Sequence, residues 1–409
     1  MKKSIPLAIM IIALVLVNCS GKKAHPDIKS EVNDKIASQA LHFPKSGEDT
    51  LKTSYFADTV IYIPLETTKE SFIRSIYQLW MNDSVILINN WGGGLLMFKQ
   101  NGKFKRQIGK KGRGPGEYGN IYHFDVIRDT IYISSTVRRG FLRYTFDGTF
   151  CDEIKLNYEP AYFSSTDDQK LACFVHGAGK IYVYNKTLHA PPDTITVEYG
   201  VTIGRYRYMV YLSEGYNYLQ KTQTGLLFNS FLSDTVWNIT GEKKEPAFIL
   251  NMKDKLLPYD KQIEFSKGDF EWYQKMANPY SFVHLIPFPS MTFIFQFHHT
   301  INASDAGYEA IYLNTTKTGE IKKFKTSYIY DDLVSKQKLS NERLTYFYPI
   351  YPEDYLVTTK KPLDVLKYLD QNKENSKEVP SLSWLNQMKT IKEDDNPILV
   401  KIKIKKNLQ

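Results

Sequence analysis

The sequence predicts an all-β fold, a six-bladed β-propeller, on three observations. The first is an internal repeat. Leu96, Phe98, Asn101-Gly102, Phe104 and Ile108 recur as Leu142, Tyr144, Asp147-Gly148, Phe150 and Ile154, each 46 positions on. Asp83 to Leu87 keep the same offset to Asp129 to Ile133. A repeat of that length, made of alternating strands and Asn-Gly or Asp-Gly hairpins, marks one propeller blade per period. The second is composition: 29 Tyr and 23 Phe in 409 residues, an enrichment that favours sheet. The third is a count. Six passages from an inner to a second strand, at 76–88, 124–134, 162–174, 216–228, 282–297 and 346–359, are each broken by a polar or Pro/Gly turn.

In chain order, residues 1–18 read as a processing signal. Met1-Lys2-Lys3 is a basic start, and the unbroken apolar run from Leu7 to Val17 is too short to span a bilayer. Cys19 follows at once, in Leu16-Val17-Asn18-Cys19. This resembles a bacterial lipoprotein signal, which implies that Cys19 is acylated and becomes the new N-terminus. Asn18 departs from the small residue usual there. Residues 19–52 are polar and aperiodic over most of their length and read as a tether. The propeller is expected over 53–409.

Residues 58–65 are the first strand. Third strands are signalled at 181–184, 235–239 and 311–313. Ile398 to Ile404 alternates apolar and basic residues, as an outer strand with one solvated face does. The sixth blade still lacks a fourth strand and residues 58–65 lack a partner, so pairing the two ends closes the ring and removes two edges. Two insertions, 259–276 and 362–392, carry partly helical spacing and are expected on the rim.

Losing Lys2 and Lys3 with the signal lowers the net charge from +9 to +7. The remaining charges are interspersed in both signs, and no nucleic-acid module is present, so a nucleic-acid partner is not expected. Cys151 and Cys173 sit in strand-like apolar contexts and read as buried free thiols, with a disulfide between them as the alternative in an oxidising compartment.

Chemistry-bearing motifs are few. The loop 109–118, Gly-Lys-Lys-Gly-Arg-Gly-Pro-Gly-Glu-Tyr, holds glycines that permit positive φ, and cations that could cradle an anion. Its spacing is not that of a P-loop, and a strand follows it instead of a helix, so a connecting role is the expectation. His298 and His299 are adjacent in a strand and point to opposite sides, which does not suit one metal ion. No nucleophile elbow or zinc-protease motif is present. No catalytic residue and no metal ligand is assigned.

With its flanks, the loop resembles the NHL repeat, in which a Gly-rich loop ends in Gly-polar-aromatic before the innermost strand. More closely, the chain resembles the six-bladed β-propeller lipoproteins of Bacteroidota. The residues that carry this are Cys19, 63–68 (Ile-Pro-Leu-Glu-Thr-Thr), the Gly-Pro-Gly-Glu-Tyr loop, Ser233 to Val236 and 393–400. The resemblance spans most of 55–405 and is specific for fold alone, since that family has no settled biochemical role. Propeller lactonases hold a central Ca²⁺ through a Glu, Asn and Asp set. Glu117, Asn89, Asn229 and Asp305 could be fitted to it, but nothing selects them, and Ca²⁺ is the one cofactor left open.

The leading expectation is a membrane-anchored binding or scaffold lipoprotein of the cell envelope. It would sit in the outer membrane facing the periplasm, with surface exposure as the alternative facing. The alternative functions are a propeller hydrolase or lyase with an axial metal, and a glycan-binding accessory protein. Strand order places the crossing loops and the second-to-third loops on one face. That face would bind through Trp91, Lys111, Arg113, Glu117, Tyr118, Arg138, Arg139 and His176, with an anionic glycan or a protein as partner.

Overall fold

The computed structural model describes residues 40–407 except 167–169, 176–179, 186–190, 198–218, 223–224, 230–232, 253–280, 299–308, 316–317, 327, 340–347, 351–353, 372–387 and 389. At 281, 282, 295–298, 309 and 371 only the backbone is described. The signal, Cys19, His176, the first insertion, His299 and Asp305 lie outside the described residues.

Five four-stranded antiparallel meanders follow one another, each running from an inner to an outer strand. Their inner strands are Ile76–Met81 (blade 1), Ile121–Ile127 (blade 2), Tyr162–Ser165 (blade 3), Leu219–Lys221 (blade 4) and Ser281–Pro287 (blade 5). The closing blade is also four-stranded, in the order Tyr348–Ile350, Tyr355–Lys360, Ile398–Ile404, Ala57–Pro64. Between blade 5 and the closing blade the chain forms a further sheet of three strands, Leu51–Lys52, Ile329–Asp331 and Gln337–Lys338.

The expectation of six blades is therefore corrected to seven, six of four strands and a smaller one of three. The smaller unit is a wedge. Its Leu51 and Ile329, with Leu339 just beyond, share one buried cluster with Ile286 and Phe293 of blade 5 and with Leu356 and Val400 of the closing blade. Strands of two or three residues are too short to show alternation. One of them, 51–52, pairs in parallel with a segment some 280 positions away, which no local pattern announces.

That pairing also corrects the tether, which was read as reaching residue 52. Residues 40–52 form a strap along the body: Ala40 bridges Ile249, Glu48 bridges Phe324, and Leu51 pairs with Ile329, all in parallel. Leu41 N–H donates to the Ile249 carbonyl (2.8 Å) and Lys325 N–H to that of Glu48 (2.8 Å).

Closure by both ends is observed. Residues 57–64 pair antiparallel with 398–404, Val60 opposite Ile402 and Tyr62 opposite Val400. The reading of 398–404 as an outer strand is corrected, because the N-terminal strand lies outside it. Its lysine face is correspondingly covered: Lys401 is buried, and the ammonium groups of Lys401 and Lys403 lie 3.9 and 4.4 Å from the Tyr355 ring centroid. The helix Pro362–Gln371 confirms part of the second insertion, and its Val365 is buried in the same cluster as the wedge. Among the described residues no helix is long and apolar enough to cross a membrane. Cys173 is buried, while Cys151 is exposed, which corrects its expected burial. Both are free thiols.

Side chains lace the inner strands to one another. Tyr348 OH donates to the Ile76 carbonyl (2.8 Å), joining the closing blade to blade 1. Gln78 clamps blade 2 in both directions, donating to the Phe124 carbonyl (2.6 Å) and accepting from Phe124 N–H (2.9 Å). Ser164 donates to Asp125 (3.0 Å) and Lys221 to Ser165 (2.9 Å), linking blades 2, 3 and 4, and Gln220 donates to the Leu285 carbonyl of blade 5. Burial raises the Asp125 carboxyl above its ordinary range, with the Lys221 charge opposing that shift. Neighbouring inner strands splayed around an axis cannot hydrogen-bond as a sheet. Tyr348, Gln78 and Gln220 instead satisfy backbone atoms across the seams, and the Ser164–Asp125 and Lys221–Ser165 bonds tie side chain to side chain.

Candidate functional site

Each inner strand begins on the face where the crossing loops arrive, and the hairpin turns at Asn82-Asp83 and Asn101-Gly102 lie at the other ends of their strands. On the crossing-loop face a cleft of about 380 Å³ opens between blades 1, 2 and 3. Tyr77, Tyr122 and Tyr162 enter it from the starts of three consecutive inner strands. The connection from blade 2 to blade 3 adds Asn157, Tyr158 and Glu159, and the start of the third strand of blade 2 adds Arg139.

The tyrosines are held by packing. Tyr158 stacks on Tyr182 with centroids 4.8 Å apart and donates its hydroxyl to Tyr184. Burial raises the Tyr158 phenol well above its ordinary value, so it stays a neutral donor. Tyr162 meets the buried His123 ring edge-on at 5.6 Å. Tyr77 packs against Trp91 at 5.0 Å, so the Trp91 turn forms the rim of the same region. Trp91 is 39% exposed on its turn. Arg139, Asn157 and Glu159 are exposed. Among the described residues their side chains make no hydrogen bond or ion pair.

The adjacent Arg138 behaves in the opposite way. Its guanidinium donates to the carbonyls of Arg113 (2.9 Å), Gly114 (2.5 Å) and Glu117 (3.3 Å) and reaches Glu153 at 3.6 Å. It is a clamp on the Gly-rich loop. Within that loop Gly114 N–H donates to Glu117 Oε2 (2.8 Å), Gly112 N–H donates to the Tyr118 carbonyl (2.9 Å), and Lys110 pairs with Glu117 (3.0 Å). The Gly114 bond and then the Lys110 bond hold the Glu117 carboxyl below its ordinary range. Gly109 and Gly116 take φ of +61° and +67°, and a Cβ at Gly109 would come within 2.8 Å of Tyr118 and Tyr144. These donors are spent inside the loop, which fits the connecting role.

Of the eight residues expected on the binding face, the structure brings Arg139 to the cleft and Trp91 to its rim. Lys111 reaches the Trp91 turn, donating to Asn120 (3.0 Å) and the Gly92 carbonyl (3.4 Å). Arg113 is exposed on the loop, and Glu117 and Arg138 are committed to it. Tyr118 is corrected: it is fully buried, donates to the Ile108 carbonyl (2.6 Å) and accepts from Leu95 N–H (3.2 Å). Its aromatic ring is core because it fills the seam between blades 1 and 2. His176 is outside the described residues. Sequence reasoning missed Tyr77, Tyr122, Tyr158 and Tyr162. A tyrosine opening successive inner strands was the available signal for Tyr77, Tyr122 and Tyr162, obscured because all three also suit a strand core.

Of the residues fitted to a lactonase-type Ca²⁺ set, Asp305 lies outside the described residues. Glu117 is bound within its loop, Asn89 donates to the Ile121 carbonyl (3.2 Å), and no group of three or more His, Cys, Asp or Glu is gathered among the described residues. A wider cleft of about 610 Å³ beside Lys403, Lys405 and Lys406 answers much of its charge internally. Asp58 lines it, Lys405 donates to the Ser54 carbonyl (2.7 Å), and Asp354 faces Lys403 and Lys406.

Fold and cleft together define a β-propeller protein with an open, tyrosine-lined cleft on its crossing-loop face. The chain belongs to the DUF4934 family, described as a domain of unknown function, whose model matches residues 41–403. The NHL likeness remains a resemblance of one stretch. No curated protein matches the chain. Among solved structures it is similar to a Bacteroides fragilis NCTC 9343 protein provisionally named as exported. The two are 16% identical, cover 90% of this chain and 99% of that one, and superpose with a TM-score of 0.60. Virginiamycin B lyase from Staphylococcus aureus is 11% identical over 73% of this chain and 80% of its own, with a TM-score of 0.38. The N-terminal domain of Nup159 is 11% identical over 78% and 80%, with a TM-score of 0.41. The first likeness supports the fold, and the other two carry no argument about activity.

Proposed function

We propose that the protein is a lipid-anchored, non-enzymatic binding module of the bacterial envelope, tethered through Cys19 and engaging its ligand at the tyrosine-lined cleft. One observation carries this reading: a cation, an amide and a carboxylate, all without intramolecular partners among the described residues, stand among four positioned tyrosines. Polar groups converging in a cleft of roughly 300–1,000 Å³ are the mark of a recognition site. Envelope location and anchoring rest on the signal and on Leu16-Val17-Asn18-Cys19. Two acyl chains hold a protein on a membrane where one does not. The outer membrane, facing the periplasm, is the assigned address.

Photo-crosslinking in intact cells tests the reading. A crosslinking side chain in place of Tyr122 or Arg139 should give adducts with an envelope component, and one in place of Asp129 or Asp147 on the hairpin face should not. Cys19→Ala should release the protein from membranes and abolish the adducts. Adducts from the hairpin face alone, or a membrane-bound Cys19→Ala variant, would refute it.

A further inference from the structure

Building on that binding role, we infer that the cleft takes a saccharide bearing a carboxylate, of the hexuronic-acid class. Arg139 presents a planar guanidinium fork that is already aimed into the cleft and bound to nothing among the described residues. Such a fork matches a carboxylate in two parallel hydrogen bonds. Its neighbour Arg138, spent on three carbonyls and Glu153, shows what this chain does with a structural arginine.

Glu159 and Asn157 narrow the class. A carboxylate accepts only, and an amide both donates and accepts, so together they suit sugar hydroxyls, each of which does both. Glu159 forms no ion pair with Arg139 although both line the cleft. The wall therefore offers one positive and one negative group, and a compact dianion such as phosphate would be repelled by Glu159. A ligand with its charge at one end and hydroxyls at the other answers both. Tyr77 and Tyr122, half-buried in the lining, are the rings placed to meet the C–H face of a pyranose. A hydrocarbon ligand would make no use of the polar groups of Arg139, Asn157 and Glu159 and would desolvate them wherever it touched them. An extended peptide would seek a strand edge, whereas this cleft is walled by side chains from strand starts and a connection.

Calorimetric titration of the full chain in detergent decides the matter, with five probes: digalacturonate, a glucuronate-containing disaccharide, the carboxyl-reduced form of each, and an acidic tetrapeptide. At least one uronide should bind, with its reduced form weaker by about tenfold or more. Arg139→Gln should erase that difference while leaving residual sugar binding, and Tyr122→Ala should weaken both forms. Melting temperatures near the parent's show that the variants are folded. Equal binding of acidic and reduced sugars, or acid binding indifferent to Arg139→Gln, overturns the assignment. Peptide binding in place of sugar overturns the saccharide class and leaves the binding role standing. Silence from all five probes, with the crosslinks at 122 intact, does the same. Loss of those crosslinks removes the binding role itself.

Discussion

A chain truncated before residue 397 should fail to form the ring at all. The lost strand stands third of four in the closing blade, paired on one side with 355–360 and on the other with 57–64. Its removal takes away the buried side chains of Ile398, Leu399, Val400, Ile402 and Ile404 together. At roughly 1.5–3 kcal/mol for each fully buried aliphatic side chain, the loss is on the order of 10 kcal/mol. That is comparable with the whole stability of a folded domain, about 5–15 kcal/mol. It also strands the N-terminal strand, whose Val60 and Tyr62 are buried in one cluster with Val400 and Ile402. Urea melts should show no cooperative transition, and size exclusion should show an expanded or aggregated chain. A truncated protein that melts within a degree or two of the parent would refute closure by both termini.

Mild acid should produce the second large effect. His123 and His284 lie buried on the inner strands of blades 2 and 5, and burial pushes their imidazoles down to about 3 and about 4. A histidine whose folded value is depressed stays neutral in the fold while its unfolded counterpart, near 6.5, takes up a proton. Stability is thus intact above about pH 6.5 and drains away as pH falls toward the folded values. At pH 4 each contributes a loss on the order of 3 kcal/mol. Asp125 acts with the opposite sign. Its folded value is raised, so the cost of its buried charge eases as pH falls through that value toward the ordinary one. Glu117 and Asp147, held low by hydrogen bonds, lose their contribution only as pH drops below the usual carboxylate range. The two histidines therefore dominate between pH 6.5 and 4. Urea midpoints should fall steeply across that window in the parent and much less in a His123→Gln/His284→Gln variant. A parent curve flat from pH 7 to 4 would mean that these rings are not held neutral.

The parts legible in the sequence were those written in local periodicity. The six inner-to-second passages, the terminal strand and the helix at 362–371 each repeat at 2.0 or 3.6 residues, and each was found. The wedge was not, because Leu51-Lys52 and Gln337-Lys338 are too short to hold a period and are joined only through the fold. The same limit governs the site. Strand order correctly indicates which face the loops share, which brought Trp91 and Arg139 into view. It says nothing of direction within a face. Arg138 and Arg139 read alike in sequence, yet one clamps a loop and the other opens into a cleft. Tyr118 read as an exposed loop end, yet it closes the core between two blades.

The strap of residues 40–52 also decides how the body takes load. A pull applied at residue 40 does not reach the closing strand directly. It meets first the bridge at Ile249, then the one at Phe324, then the pairing at Ile329, three contacts in series along three neighbouring sheets. Because the strap runs parallel to its partners, force drawn along its length slides these bonds past one another instead of unzipping them singly. Tension on the N-terminal side is thus spread over the rim before it touches the seam at 57–64. The ring is shielded at the one joint whose opening would undo it.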